Sequence, residues 1–324
     1  MKFLSIQGLS KSFNWWIFVL MAGCFAPMNL SGATKKTDNK DLYTKAQEAF
    51  FNYDFDEATS LFEQYKNKQT KAKKPIEEDF EIWQTRNNIA ANAFNRVQKI
   101  VVIDSIAVPR ASFFKAMKLA KSAGTIGLGT DFNLKNLDTG NELSYLSEDG
   151  VYFITPMPNS EDNLELIESL RLLDGTWESQ KALQGNFHLS GDYAFPFLGG
   201  DGQTLYFANN GDDSMGGYDL FVAQKEPITG EALQPLNLGM PFNSPYDDLM
   251  IAIDEETGIG WWATDRNDPG GDITIYVYIL DEARQNYPSD TENLAELAKL
   301  SDFKATWEEG KEKQYKRILN SIPK

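Results

Sequence analysis

Short apolar runs closed by acidic-glycine turns fill the chain from residue 143 to residue 279, and they recur in a set order. One copy reads Tyr193-Ala-Phe-Pro-Phe-Leu198, Gly-Gly-Asp-Gly, Leu205-Tyr-Phe-Ala208, a polar loop with Gly216-Gly217, then Leu220-Phe-Val-Ala-Gln224. The next reads Leu249-Met-Ile-Ala-Ile-Asp254, Glu-Glu-Thr-Gly, Ile259-Gly-Trp-Trp-Ala-Thr264, a loop with Gly270-Gly271, then Ile273-Thr-Ile-Tyr-Val-Tyr-Ile279. A weaker copy runs upstream through Leu143, Ser-Glu-Asp-Gly150, Val151-Tyr-Phe-Ile-Thr155 and Leu164-Glu-Leu-Ile167. Runs of this length bounded by Gly, Asp and Asn are strands, and self-similarity at about 50 residues marks an array. Each copy predicts strand, tight turn, strand, loop, strand, with less regular fourth strands at 177–182 and 236–244. A four-stranded sheet cannot bury both faces alone, so the units are expected to pack radially, as propeller blades. Three blades are clear. Either residues 100–141 supply strands of a fourth, or the ring is open.

The period changes upstream. Ala46, Ala49, Phe50 and Tyr53, then Ala58, Leu61, Phe62 and Tyr65, fall at i, i+3, i+4, i+7, which predicts a helical hairpin over 41–65. Small alanines let the two helices approach, and Phe55 plugs their joint. Residues 66–74 read as a basic connector, and Phe80, Trp83, Ala90, Phe94 and Val97 as a covering helix started by Glu77 and Asp79. Ile100-Val-Val-Ile103 is strand-like, 109–120 a short helix, and 124–129 a loop. After Ile279 a broken helical stripe from Leu294 to Ile322 is interrupted near Gly310. The fold class expected is mainly β, with a helical module at 34–99, a propeller-like domain at 100–283 and a helical tail at 284–324.

Charge sharpens this picture. The formal net charge of −16 is concentrated: residues 129–282 hold 28 acidic and 5 basic residues, or −23. Such a surface repels nucleic acid and favours cations or basic partners. Residues 1–33 read as a signal peptide, with Lys2 and Lys11 before the apolar run Trp15-Trp-Ile-Phe-Val-Leu-Met-Ala22. Two exits are open: a small-residue site at Ser31-Gly-Ala33, or Leu20-Met-Ala-Gly-Cys24, where Cys24 would carry lipid. Both place the mature chain in the periplasm or at the outer membrane. Cys24 is the single cysteine, so no intrachain disulfide exists.

At Asp201-Gly-Gln-Thr-Leu-Tyr-Phe-Ala208 and Gly216-Gly-Tyr-Asp-Leu-Phe-Val222 the chain resembles TolB-like propeller repeats. Ala46, Phe55, Ala58 and Phe62 resemble one tetratricopeptide repeat, with Tyr53 in place of the usual turn glycine. The linker 236–248 is similar to that of Bacteroidetes cell-envelope proteins, among them the periplasmic component of type IX secretion. The OmpA-type peptidoglycan-binding domain of that architecture is not recognisable after the blades, so wall binding is not carried over. The resemblance implies a non-enzymatic envelope scaffold that binds protein partners through propeller loops and helices. A propeller that binds glycan or peptidoglycan fragments is the alternative, and a hydrolase a more distant one.

Candidate chemistry is sparse. Ser214 and His188, the only histidine, make a poor catalytic pair, since the equivalent loop has no serine. Asn209, Asn210, Asp212, Asp213 and Asp219 carry oxygen ligands of the kind calcium takes, without EF-hand spacing. No catalytic residue, cofactor or firm metal site is expected. Asp201, Tyr218, Trp262 and Arg266 are the residues through which the repeats would meet a partner or ligand, Trp262 as a stacking platform. Arg266 is also expected to pair with one of the surrounding acids.

Overall fold

The computed structural model describes residues 39–281 and 283–322, all within a unit that starts at Asp38. The expected signal peptide and Cys24 lie outside the described residues. The structure is mixed, with helices at either end of the sequence and three antiparallel sheets between them.

The helical hairpin forms as the periodicity requires. Helix α1 (Asn39–Phe51) and helix α2 (Phe55–Ala72) pack through Ala46, Phe50, Ala58 and Phe62, all essentially buried, with Phe55 in the joint. The Asp54 carboxylate caps α2 by accepting from the Glu57 N–H. Tyr53 takes the left-handed turn at φ +65°, a strained position that glycine would fill freely. The run 66–74 is no connector: α2 continues through it to Ala72, its lysines on the exposed side. Helix α3 (Phe80–Phe94) covers the hairpin through Phe80 and Ala90.

The first sheet holds β2 (Thr125–Leu128), β3 (Leu143–Leu146), β4 (Tyr152–Pro158), β5 (Leu164–Leu170) and β6 (Lys181–Ala182) in that order. Residues 124–129, expected as a loop, therefore contribute an additional strand at the edge beyond β3. The second sheet is β7 (Tyr193–Leu198), β8 (Thr204–Asn209), β9 (Asp219–Gln224) and β10 (Leu236–Asn237). The third is β11 (Asp248–Asp254), β12 (Ile259–Thr264) and β13 (Ile273–Ile279), completed by β1 (Val101–Val108). The fourth strand of the last repeat thus comes from before the first. Register runs from Val101 opposite Ile279 to Val108 opposite Ile273, with a bulge at Ile103.

The tight turns repeat in geometry as in sequence: Gly150, Gly202 and Gly258 sit at φ +68°, +68° and +70° with open space beside them, so backbone conformation alone demands glycine. The inner strands pack in sequence, β3 on β7 and β7 on β11, while the 3₁₀ segment Arg110–Ala116 fills the space between the third sheet and β2. Faces alternate along the strands. Trp261 and Phe207 enter the central core; Trp262 and Tyr206 face the seam between the second and third sheets. The tail folds as α4 (Leu294–Lys299) on the helical module and α5 (Glu312–Ser321) against β1. Between them Thr306 Oγ1 accepts from the Val102 N–H and the Trp307 indole donates to the Val102 carbonyl, capping the β1 bulge. Among the described residues no helix is long and apolar enough to cross a membrane.

Candidate functional site at the loop end of the sheets

Every sheet has a turn end, carrying the tight glycine turns, and a loop end, carrying the longer loops at 159–163, 210–218 and 265–272. The loop end is built on buried polar side chains. The Asp219 carboxylate accepts from the Met215 and Gly216 N–H groups at 2.9 and 3.1 Å and from the Asn237 amide at 2.8 Å. Burial outweighs these bonds and pushes its pKa up to about 7. Gly216 and Gly217 owe their place to close approach: a Cβ would strike the Tyr246 carbonyl oxygen at the first and the Asp247 carboxylate at the second.

Arg266 pairs with Asp248 at 2.6 Å, both side chains almost wholly buried. Its guanidinium also donates to the Phe242 carbonyl and Thr264 Oγ1, and Ser244 Oγ donates to Asp248. Burial opposes the charge, but the Asp248 carboxylate more than compensates and holds the guanidinium pKa above its ordinary value. Over this network lie Phe51, its ring 5.3 Å from that of Tyr246, and the helical-module core, which takes in Met215 and Met240. The linker 237–248 is therefore covered by the chain's own helices.

Beside this network an acidic mouth surrounds Tyr218, whose side chain is partly exposed. Its half-buried ring touches Phe195, which touches Phe113, with centroids 5.9 and 6.0 Å apart. Burial, then Asp192, Asp247 and Glu142, push the Tyr218 hydroxyl pKa up. Glu142 is itself raised by burial and by Asp192. Asp247 is raised by burial and Asp265, with Arg110 and Arg86 opposing. Arg110 bonds Asp265 at 2.5 Å and reaches Asp247 at 4.0 Å. Burial lowers the Arg86 pKa despite Asp219, Asp247 and Asp212 nearby. Carboxylates from several segments converge here, with two arginines opposing them.

The residues singled out from sequence divide accordingly. Tyr218 stands at the mouth. Asp212 and Asp213 are exposed on its rim, but Asp219 points into the core with its oxygens already engaged, so the three do not form one ligand set. Asn209 is likewise turned inward, bonding the Ser190 and Asp192 carbonyls. Among the described residues no group of three or more His, Cys, Asp or Glu is arranged to hold a metal ion. Trp262 offers no surface. It is fully buried against Tyr276, Phe242 and Tyr278, because the second face of its strand is packed against the neighbouring sheet. Arg266 is equally no surface residue, although the expected pairing with an acid is present. Asp201 is exposed at the turn end, where bonds from Thr204 and Gln203 outweigh partial burial and hold its carboxyl pKa low. Buried Ser214 donates to the Asn209 carbonyl, and His188 is exposed.

Glu142, Asp192, Arg86, Arg110, Phe113 and Phe195 were not singled out from sequence. They reach the mouth from four separate segments, and only the unusual density of acids around the loops hinted at them. No family model matches this chain, nor does any curated protein or solved structure.

Proposed function

We propose that this chain is a non-enzymatic scaffold of the cell envelope, built on a TolB-like partial propeller and exported through its N-terminal segment. On this reading the three successive sheets are blades, and β1 closes the last of them by joining the beginning of the domain to its end. The acidic mouth around Tyr218 receives a basic segment of a protein partner. The observation that carries this reading is the convergence of Glu142, Asp192 and Asp247 on a half-exposed aromatic chain, with Arg86 and Arg110 opposing at Asp247. Aromatic faces and desolvated carboxylates together suit Lys or Arg side chains.

A photo-crosslinking residue at position 218, with affinity purification from the native envelope, tests this. One stoichiometric protein adduct is expected. Its yield should fall about tenfold in Glu142→Lys/Asp192→Lys and in raised salt. Recovery of the uncrosslinked chain alone would count against a scaffold.

A further inference from the structure

At the turn end the seam between the second and third sheets opens into a cavity of about 370 Å³, within the size range of small-molecule sites. Val222, Leu238, Ile251, Ile253 and the rings of Tyr206 and Tyr278 supply its walls. Val222, Ile253 and Tyr278 sit near those ends of β9, β11 and β13 that lie away from the acidic mouth, so this site is separate. A small residue shapes it: the Tyr278 ring lies so close over Gly260 that any Cβ there would collide with it.

The polar groups are few and underused. Among the described residues neither the Tyr206 nor the Tyr278 hydroxyl makes a protein hydrogen bond, although Tyr278 is only 5% exposed. Both hydroxyls keep contact with solvent, so a ligand could bond them without displacing a protein partner. Lys99 and Arg284 also line the cavity, and neither has an ion-pair partner among the described residues. Arg284 is anchored by a 2.7 Å bond to the Leu238 carbonyl, and the Lys99 ammonium lies 5.6 Å from the centre of the Tyr287 ring. Two acids, Asp281 and Glu255, share the lining; Asp281 accepts from the Ala283 N–H, and Glu255 lies beside Gly200 and acts on the Tyr206 phenol, so the head group must sit on the Lys99 and Arg284 side.

We propose that this cavity binds a carboxylate-headed aliphatic chain of the fatty-acid class. The hydrocarbon lies in the seam, and the carboxylate is held by Lys99 and Arg284 with the two phenols as further donors. The chemistry fits because the inner walls are mostly aliphatic and aromatic, while the two cations and the phenols suit an anionic or oxygen-rich head.

Titrating the purified chain with dodecanoate below its micellar range, by calorimetry, tests the proposal. Saturable one-to-one binding is expected. Ile253→Trp, which fills the cavity, should weaken it about tenfold or more, and so should Lys99→Glu/Arg284→Glu at the exposed rim. Dodecanol, with the same chain and no carboxylate, should bind about tenfold more weakly. Should Ile253→Trp fail to fold, the rim variant and dodecanol decide. Absence of saturable binding, equal affinity for dodecanol, or indifference to the folded variants would overturn the proposal.

Discussion

Two seams join the three sheets, and they are closed by different means. Between the first and second sheets, Lys225 reaches across to Glu168 at 2.6 Å, lies over the Tyr152 ring and bonds its hydroxyl, while Gly185 bridges to Ala232. Between the second and third, the loop end is closed by the Trp262 cluster and the Asp248–Arg266 pair, and the turn end is left hollow. The first seam is tied by a buried charge pair between strand ends. A seam sealed only at its far end keeps a mouth.

The largest expected effect lies at the sealed half of the second seam. Arg266→Ala leaves Asp248 buried without its cation and should cost about 3–5 kcal/mol in urea unfolding. A loss below about 1 kcal/mol would mean the network is not what closes that end. The first seam should respond next. Lys225→Met leaves Glu168 with the half-exposed Lys181 at 3.6 Å and the Tyr152 hydroxyl and is expected to cost about 2 kcal/mol, whereas Lys225→Met/Glu168→Met should return to within about 1 kcal/mol of the parent. If the double variant stays as weak as the single one, the ion pair is indispensable to that seam rather than replaceable by apolar packing.

A pH effect should follow from Asp219. Its folded pKa, about 7, lies above the ordinary 3.8, so the folded state binds the extra proton. The associated stability is fully present below the ordinary value and is lost as pH rises towards about 7. Melting temperature should therefore fall across that window in the parent and stay flatter in Asp219→Asn; equal slopes would remove Asp219 from the account. The smallest effect belongs to the turn end. Gly202→Ala should cost about 1 kcal/mol, from its positive φ alone, since nothing lies within 4 Å of the added methyl. A much larger cost would show that this end is more tightly packed than the open cavity implies.

Much of the fold was legible because its determinants are local. The glycine of each tight turn, the alternating runs and the alanine-rich hairpin each announce their own conformation. Pairings made at a distance were not. Nothing in Ile100-Val-Val-Ile103 says that its partner is β13, and the glycines flanking Thr125–Leu128 disguised a short edge strand as a loop. The lysines after Tyr65 looked like a linker because charge hid a helix that simply keeps its solvated face outward. Trp262 misled for a related reason. Alternation puts Trp261 and Trp262 on opposite faces, but a strand between two packed sheets has no free side. The acidic mouth was legible as composition, yet its members arrive from segments whose meeting only the assembled sheets determine.

The completion of the third sheet by β1 also sets an order of events. As the chain is made from its N-terminus, Val101–Val108 emerges early as an edge without a neighbour, and β13 is among the last strands to follow. Trp307 and Thr306, which clasp the bulge in β1, come later still. Closing so long a loop is slow, and an unpaired edge invites intermolecular association until it is closed. A chain halted before Ile273 would keep its helical hairpin and two sheets but hold this adhesive border exposed, so the last sixth of the sequence acts as the clasp that makes the rest safe to release.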